Sequence, residues 1–273
     1  MSIEYLPDVK AGQKIDLSRF KEKKNFEGEK MFEFFHQQLA EKAEAYNRYY
    51  NQEWLADDAS IKLFEHPDRE EDERLIGMQE GQWAKERGVS LGQWQHDKER
   101  NPAALAEMAL TIFLQRCLPE RYMIVRSSFY DDYNNGVDQL IIDRESGTVV
   151  CGIDEVIERA GCSTPGNKEG KIRRKMQKGG ARVKYGARVV EGELVLGRLG
   201  RVPAFYLSLG KNDLTELQTA FANGNPGAYE EKLLQSVLAS LRSQAKSYDD
   251  LELSEELRSE LGLFINSLDS WQK

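Results

Sequence analysis

The chain has 273 residues, enough for one large domain or two small ones, and its 40% hydrophobic and 31% charged residues exclude a disordered chain in favour of a globular one with a substantial core. A formal net charge of −8 argues against a surface coated all over in nucleic acid. The longest apolar runs fall well short of the ~20 residues that span a bilayer. The N-terminus Met1-Ser2-Ile3-Glu4-Tyr5 has no signal pattern, and the three cysteines, Cys117, Cys151 and Cys162, lack metal-type spacing, so a cytoplasmic, reducing setting is expected.

Residues 26–50 carry Phe32, Phe35, Leu39, Ala43, Tyr46 and Tyr50 at spacings of three and four, the stripe of an amphipathic helix. His66-Pro67 interrupts the pattern. A second helix is expected over 70–87, with Leu75, Met78, Gln79 and Trp83 along one side and Gly88 as its stop. Asn101-Pro102 supplies a cap and a first-turn proline for a third helix, which runs to about Cys117 and carries Glu107.

Strands are expected over 121–126, 139–143 and 148–153, the last two joined through Glu145-Ser146-Gly147. Their continuous apolar runs predict burial on both faces. A Gly/Ser/Thr/Pro loop is expected over 161–170, then a short basic helix over 171–178 ended by Gly179-Gly180. Further strands are expected over 182–185, 189–196 and 202–209, and helices over 213–221, from Asn225-Pro226 to about 246, and over 254–268. The predicted class is α/β: a mixed central sheet flanked by helices, with a helical N-terminal extension over 1–100 and an α/β domain with C-terminal helices over 101–273.

The stretch 130–156 holds the chemistry. It reads Tyr130-Asp131-Asp132-Tyr133-Asn134-Asn135-Gly136-Val137-Asp138, then two short apolar runs separated by a turn, the second ending in Asp154-Glu155. In an antiparallel hairpin the start of one strand lies beside the end of the next, so Asp138 and Asp154 converge on one sheet edge. Strand alternation turns Glu155 away from Asp154 and ranks it lower. Asp131 and Asp132 read as capping acids of a turn, with Asp132 alternatively a further ligand. Nine bases and one acid, Glu169, follow between Lys168 and Arg188, a local patch suited to nucleic acid on one face. Within it Arg173, Arg174, Lys178 and Lys184 are candidate backbone contacts and Tyr185 a candidate stacking ring, or else a half-buried strand residue. Carboxylates that hold Mg²⁺ (or Mn²⁺), beside a lysine, are what phosphodiester hydrolysis needs. No zinc-type spacing, Walker loop or nucleophile elbow competes with this reading.

Helix, strand, strand with Asp, strand with an acid, then helix resembles the core of the PD-(D/E)XK nucleases over residues 102–209. Val137-Asp138 resembles the first half-motif and Asp154-Glu155-Val156 the acid-x-Lys half, with Val156 where lysine is expected. The wording from Tyr130 to Asp138 is also similar to an uncharacterised bacterial group related to that superfamily. The resemblance implies a restriction-endonuclease-like core and a Mg²⁺- or Mn²⁺-dependent nuclease. Asp138 and Asp154 would bind metal, Glu107 or Asp132 would add a ligand or orient water, and Lys171 or Lys175 would stand in for the missing lysine. It implies a nucleic-acid partner, DNA ahead of RNA, no membrane, and room for a homodimer. The alternative is a catalytically inactive nuclease-fold protein serving as a nucleic-acid-binding or protein-interaction module.

Overall fold

A computed structural model describes residues 18–64, 66–158 and 165–271. Helix α1 (Ser18–Tyr49) follows the expected stripe, burying Phe35, Leu39, Ala43 and Tyr46. Helix α2 (Arg69–Arg87) ends as expected at Gly88, which takes a left-handed φ of 70°. Its inward face is only partly the one predicted, with Leu75, Gln79 and Trp83 half-buried. Met78 is exposed, and the buried residues are Asp72, Glu80 and Ala84. The reason is that the neighbouring tyrosines supply partners for both acids: Tyr185 Oη donates to Asp72 at 2.6 Å and Tyr133 Oη to Glu80 at 2.6 Å. Helix α3 (Leu91–Glu99), which periodicity does not announce, is capped by Ser90, whose Oγ accepts from Gln93 N at 3.2 Å. Helix α4 (Pro102–Cys117) starts on Asn101, whose Oδ1 accepts from Ala103 N at 2.7 Å and Ala104 N at 3.1 Å.

Six strands follow: β1 (Tyr122–Arg126), β2 (Gln139–Asp143), β3 (Val149–Glu158), β4 (Ala181–Val190), β5 (Glu193–Val202) and β6 (Ala204–Gly210). Helix α5 (Pro165–Gln177) lies between β3 and β4. Four strands form a mixed sheet in the order β1-β2-β3-β6, antiparallel except for the parallel β3–β6 pair. All five residues of β2 are buried, in accord with an apolar run covered on both faces. Strand β3 is longer than expected because β6 pairs along it as far as Glu158, so Asp154 lies inside the strand, opposite Tyr206, rather than at its end.

Residues 161–164 of the expected 161–170 loop, Cys162 among them, lie outside the described part of the chain. Residues 165–170 are helical instead, because Pro165 provides a first-turn start six residues earlier than the basic run suggests. The strand expected over 189–196 is cut by a two-residue hairpin turn. Glu191 and Gly192 both take positive φ, 53° and 83°, and β4 and β5 pair across them as a separate ribbon.

Helices α6 (Lys211–Phe221), α7 (Ala228–Lys246) and α8 (Glu255–Ser270) complete the chain. Both sheet edges are covered. Beside β1, Ile61 N donates to Arg126 O and Arg126 N to Ala59 O, each at 3.0 Å. Beside β6, Gln244 of α7 accepts from Tyr206 N at 3.0 Å and donates to Tyr206 O at 2.8 Å, satisfying an edge strand with a side chain. The buried Glu230 ties α7 to Arg116 of α4 at 2.7 Å. Residues of α1, α4, the sheet and the C-terminal helices share one apolar core. The fold is thus mixed α/β, a small mixed sheet flanked by helices. Among the described residues no helix is long and apolar enough to cross a membrane.

Candidate active site

The β2–β3 register builds the site. Gln139 pairs with Ile153, so one step back Asp138 stands across from Asp154 on the same face. Asp138 N donates to Ile153 O at 2.8 Å, and Glu155 N donates to Asp138 Oδ2 at 2.5 Å. Helix α5 lies on this side. Lys168, in its first turn, forms an ion pair with Asp154 Oδ1. Lys175, two turns on, donates from Nζ to Gly136 O at 2.6 Å. A methyl group placed on Gly136, whose φ is 58°, would meet Lys175 Nζ at 3.5 Å and Asp154 Oδ2 at 3.7 Å. Those are ordinary contact distances, so what glycine supplies here is the left-handed backbone conformation that ends the turn beside lysine and aspartate.

The other face belongs to α4. Gln139 Nε2 donates to Glu107 O at 3.0 Å and to Thr111 Oγ1 at 2.6 Å. Glu107 pairs with Arg126 at 3.2 Å, and Arg126 also pairs with Asp58 at 2.6 Å. Burial opposes the Arg126 charge, but Asp58 and Glu107 hold it firmly protonated. Glu155, one residue past Asp154, turns toward this side as alternation requires. Its stem is part-exposed, yet both carboxylate oxygens are buried without a hydrogen-bond partner.

Asp132 bridges the two groups, within hydrogen-bonding reach of Asp138. It belongs to a π-helical turn over Asp131–Asn135 that Gly136 ends. The neighbouring Asp131 serves the fold instead. Its buried carboxylate accepts from Lys184 N at 2.7 Å, Tyr185 N at 2.9 Å, Ser128 Oγ at 2.8 Å and Asn135 Nδ2 at 2.6 Å. It therefore clamps the turn to β4.

Crowding of carboxylates out of water has the expected electrostatic effect. Burial, reinforced by Glu107, Asp154 and Asp132, pushes Asp138 well above the usual carboxylate range. Burial and Glu107 do the same to Glu155. Burial raises Glu107 and Asp132 as well, with Arg126 offsetting the effect at Glu107 and Lys98 at Asp132. Burial lowers Lys175, against the pull of Asp154 and Asp138. All the acids offer hard oxygen ligands, the donor type Mg²⁺ takes, and the unpartnered Glu155 oxygens add donor capacity. Among the described residues, no three acidic, histidine or cysteine side chains are gathered into a ready-made metal cage.

Two hollows flank the π-helical turn. A cleft of about 470 Å³ is lined by Asn134 and Asn135 of the turn and by Lys171, Arg174, Lys175, Lys178 and Arg182. A pocket of about 450 Å³ on the α4 side takes in Asp132, Tyr133, Glu107 and Lys98.

The predicted site residues divide accordingly. Asp138, Asp154, Asp132, Glu107 and Lys175 come together. Lys171 does not join them; it is exposed and lines the cleft with Arg174 and Lys178. Arg173 turns the other way, bonding Ser247 O and Asp250 beyond α7, because α5 buries Ile172 and Met176 between those faces. Tyr185 is fully buried beside Phe64, His66 and Tyr130, so its ring offers no face for a base. Lys184 is held by Asp72 at 2.6 Å and Asp68 at 3.0 Å. Sequence reasoning missed Lys168 and Arg126. Lys168 lies seven residues before Lys175 on the same helical face, a signal legible only once the helix is started at Pro165. No family model, curated protein or solved structure matches this chain.

Proposed function

We propose that the protein is a divalent-metal-dependent nuclease with a restriction-endonuclease-like core. The observation that carries this reading is the facing pair Asp138–Asp154 with the part-buried Lys175 near it, Lys175 also lining a cleft with four further bases. The element order α4-β1-β2-β3-α5-β6, with the β4–β5 ribbon as an insertion before β6, supports it.

In this reading Asp138 and Asp154 hold Mg²⁺ or Mn²⁺, with Asp132 or Glu107 as a further ligand or water-orienting group. The ion when bound offsets phosphate charge and acidifies a water. Lys175 replaces the lysine missing at Val156. Burial lowers its pKa, and its position beside the carboxylates suits it to orient a water. Lys168 holds Asp154 until a cation displaces it. Lys171, Arg174 and Lys178 hold the phosphate backbone. The test is cleavage of DNA and RNA, single- and double-stranded, with Mg²⁺ or Mn²⁺. Asp138→Asn and Asp154→Asn should each lose at least about a hundredfold, the scale for removing one group that stabilises transition-state charge. Equal cleavage by the variants would sink the proposed site.

A second reading, a nucleic-acid-binding module without cleavage, is favoured by the lack of a three-acid cage among the described residues and by Lys168 already neutralising Asp154. Calorimetry with Mn²⁺ separates the two: no heat, together with salt-sensitive nucleic-acid binding and no products, selects the module.

A further inference from the structure

The basic cleft accounts for a backbone, but not for the pocket of about 450 Å³ on the other side of the π-helical turn. That volume lies in the range of a site for one small ligand. Its walls carry aromatic rings from four separate elements: Phe32 of α1, Trp83 of α2, Phe129 after β1, and Tyr133 of the turn. The rings are fixed in place. Tyr133 meets Trp83 edge-on at 5.1 Å, and Lys98 Nζ sits 4.9 Å from the Phe129 centroid and 4.2 Å from that of Tyr133. Phe129 nonetheless remains 40% exposed, an uncovered aromatic surface at the pocket. Asp132 and Glu107 supply hydrogen-bond acceptors to the lining.

The turn acts as a partition. Asp132 and Tyr133 line the pocket, whereas Asn134 and Asn135 line the basic cleft, and Asp138 lies within reach of Asp132 between them. A strand whose phosphates lie in the cleft therefore has a base-sized aromatic pocket across the turn. Aromatic walls with a few acceptors suit a nucleobase, since every base has a π-face to stack. Stacking on these rings needs a base with a free face, so a paired base would first have to leave its own stack.

We propose that this pocket receives one unpaired nucleobase, so that the strand bound here is single-stranded or frayed at an end rather than the interior of a duplex. The inference rests on the nuclease reading for the placement of the phosphates.

The test uses the full chain in EDTA, so that binding is read without cleavage. The probe is an oligodeoxynucleotide with one 2-aminopurine, alone or annealed to its complement. The single strand should bind more tightly than the duplex and change its 2-aminopurine fluorescence. Phe129→Ala should weaken the single strand at least about fivefold, the lower end for one base–aromatic stack, and leave duplex affinity alone. Lys178→Ala should weaken both. The unfolding midpoint of Phe129→Ala, at a part-exposed site, checks that the variant is folded. Unchanged single-strand affinity in a folded Phe129→Ala, or equal single-strand and duplex affinity, overturns the inference while salt-sensitive binding keeps the nuclease reading. Binding of neither probe overturns both.

Discussion

Glu155 and Asp131 are both carboxylates placed out of water, and they have opposite energetic consequences. Glu155 has no partner for either oxygen, and its pKa is raised by burial and Glu107. Its folded value exceeds its unfolded one, so between the two the folded chain holds more protons and stability falls as pH rises through that window. Below the unfolded carboxylate value of about 4 the penalty is absent. Glu155→Gln should therefore raise the unfolding free energy near neutral pH by about 1–3 kcal/mol and have little effect near pH 4, as read by denaturant titration at the two pH values. Asp131, by contrast, has four donors on its two oxygens. Asp131→Ala strands the buried Tyr185 N–H and the part-buried Lys184 N–H and should cost about 2–4 kcal/mol, lowering the unfolding midpoint by several degrees. A loss within experimental error would show that water replaces the carboxylate.

At the scale of elements, α5 presents two kinds of lysine from one helix. Lys175 is part-buried against Gly136 and Asp154, while Lys171 is exposed on the cleft wall. On the proposed function, Lys175→Met should lower kcat about a hundredfold with nucleic-acid affinity little changed. Lys171→Met should leave kcat alone and reduce the salt dependence of binding by about one phosphate contact. The reverse pattern would move the catalytic role to Lys171. Helix α2 is held differently from the rest. Its buried Asp72 and Glu80 bond Tyr185 and Tyr133, so polar contacts rather than an apolar stripe seat it over the site. That is why the Gly88 stop placed its end correctly while the expected stripe gave its inward face only in part.

For the whole molecule, the raised carboxylates mean that folding gathers more negative charge than the low-dielectric site holds comfortably. On the proposed function, a divalent cation bound there would stabilise the fold by mass action, about 2.7 kcal/mol at a hundred times its Kd. Mn²⁺ should therefore raise the unfolding midpoint of the native chain and not that of Asp138→Asn/Asp154→Asn. The gain should shrink on acidification, as protons compete for the same oxygens. A midpoint unmoved by Mn²⁺ at neutral pH would favour the non-catalytic module.

Much of this molecule was legible in the residues alone. Capping residues and apolar period set α1, α4 and α8, and short apolar runs set β1 and β2, because those signals are local and act over one or two turns. That Asp138 and Asp154 lie side by side on a hairpin was also legible, but their facing register was not: it depends on the one-residue shift between Ile141 and Ile142. The tertiary structure decided the rest. It extended β3 past Asp154 because β6 pairs alongside, buried Tyr185 against α2, turned Arg173 toward α7, and brought Lys168 and Lys175 of α5 to the carboxylates. Each of these depends on a partner distant in sequence, and neither charge nor periodicity along the chain encodes which distant surface a side chain will meet.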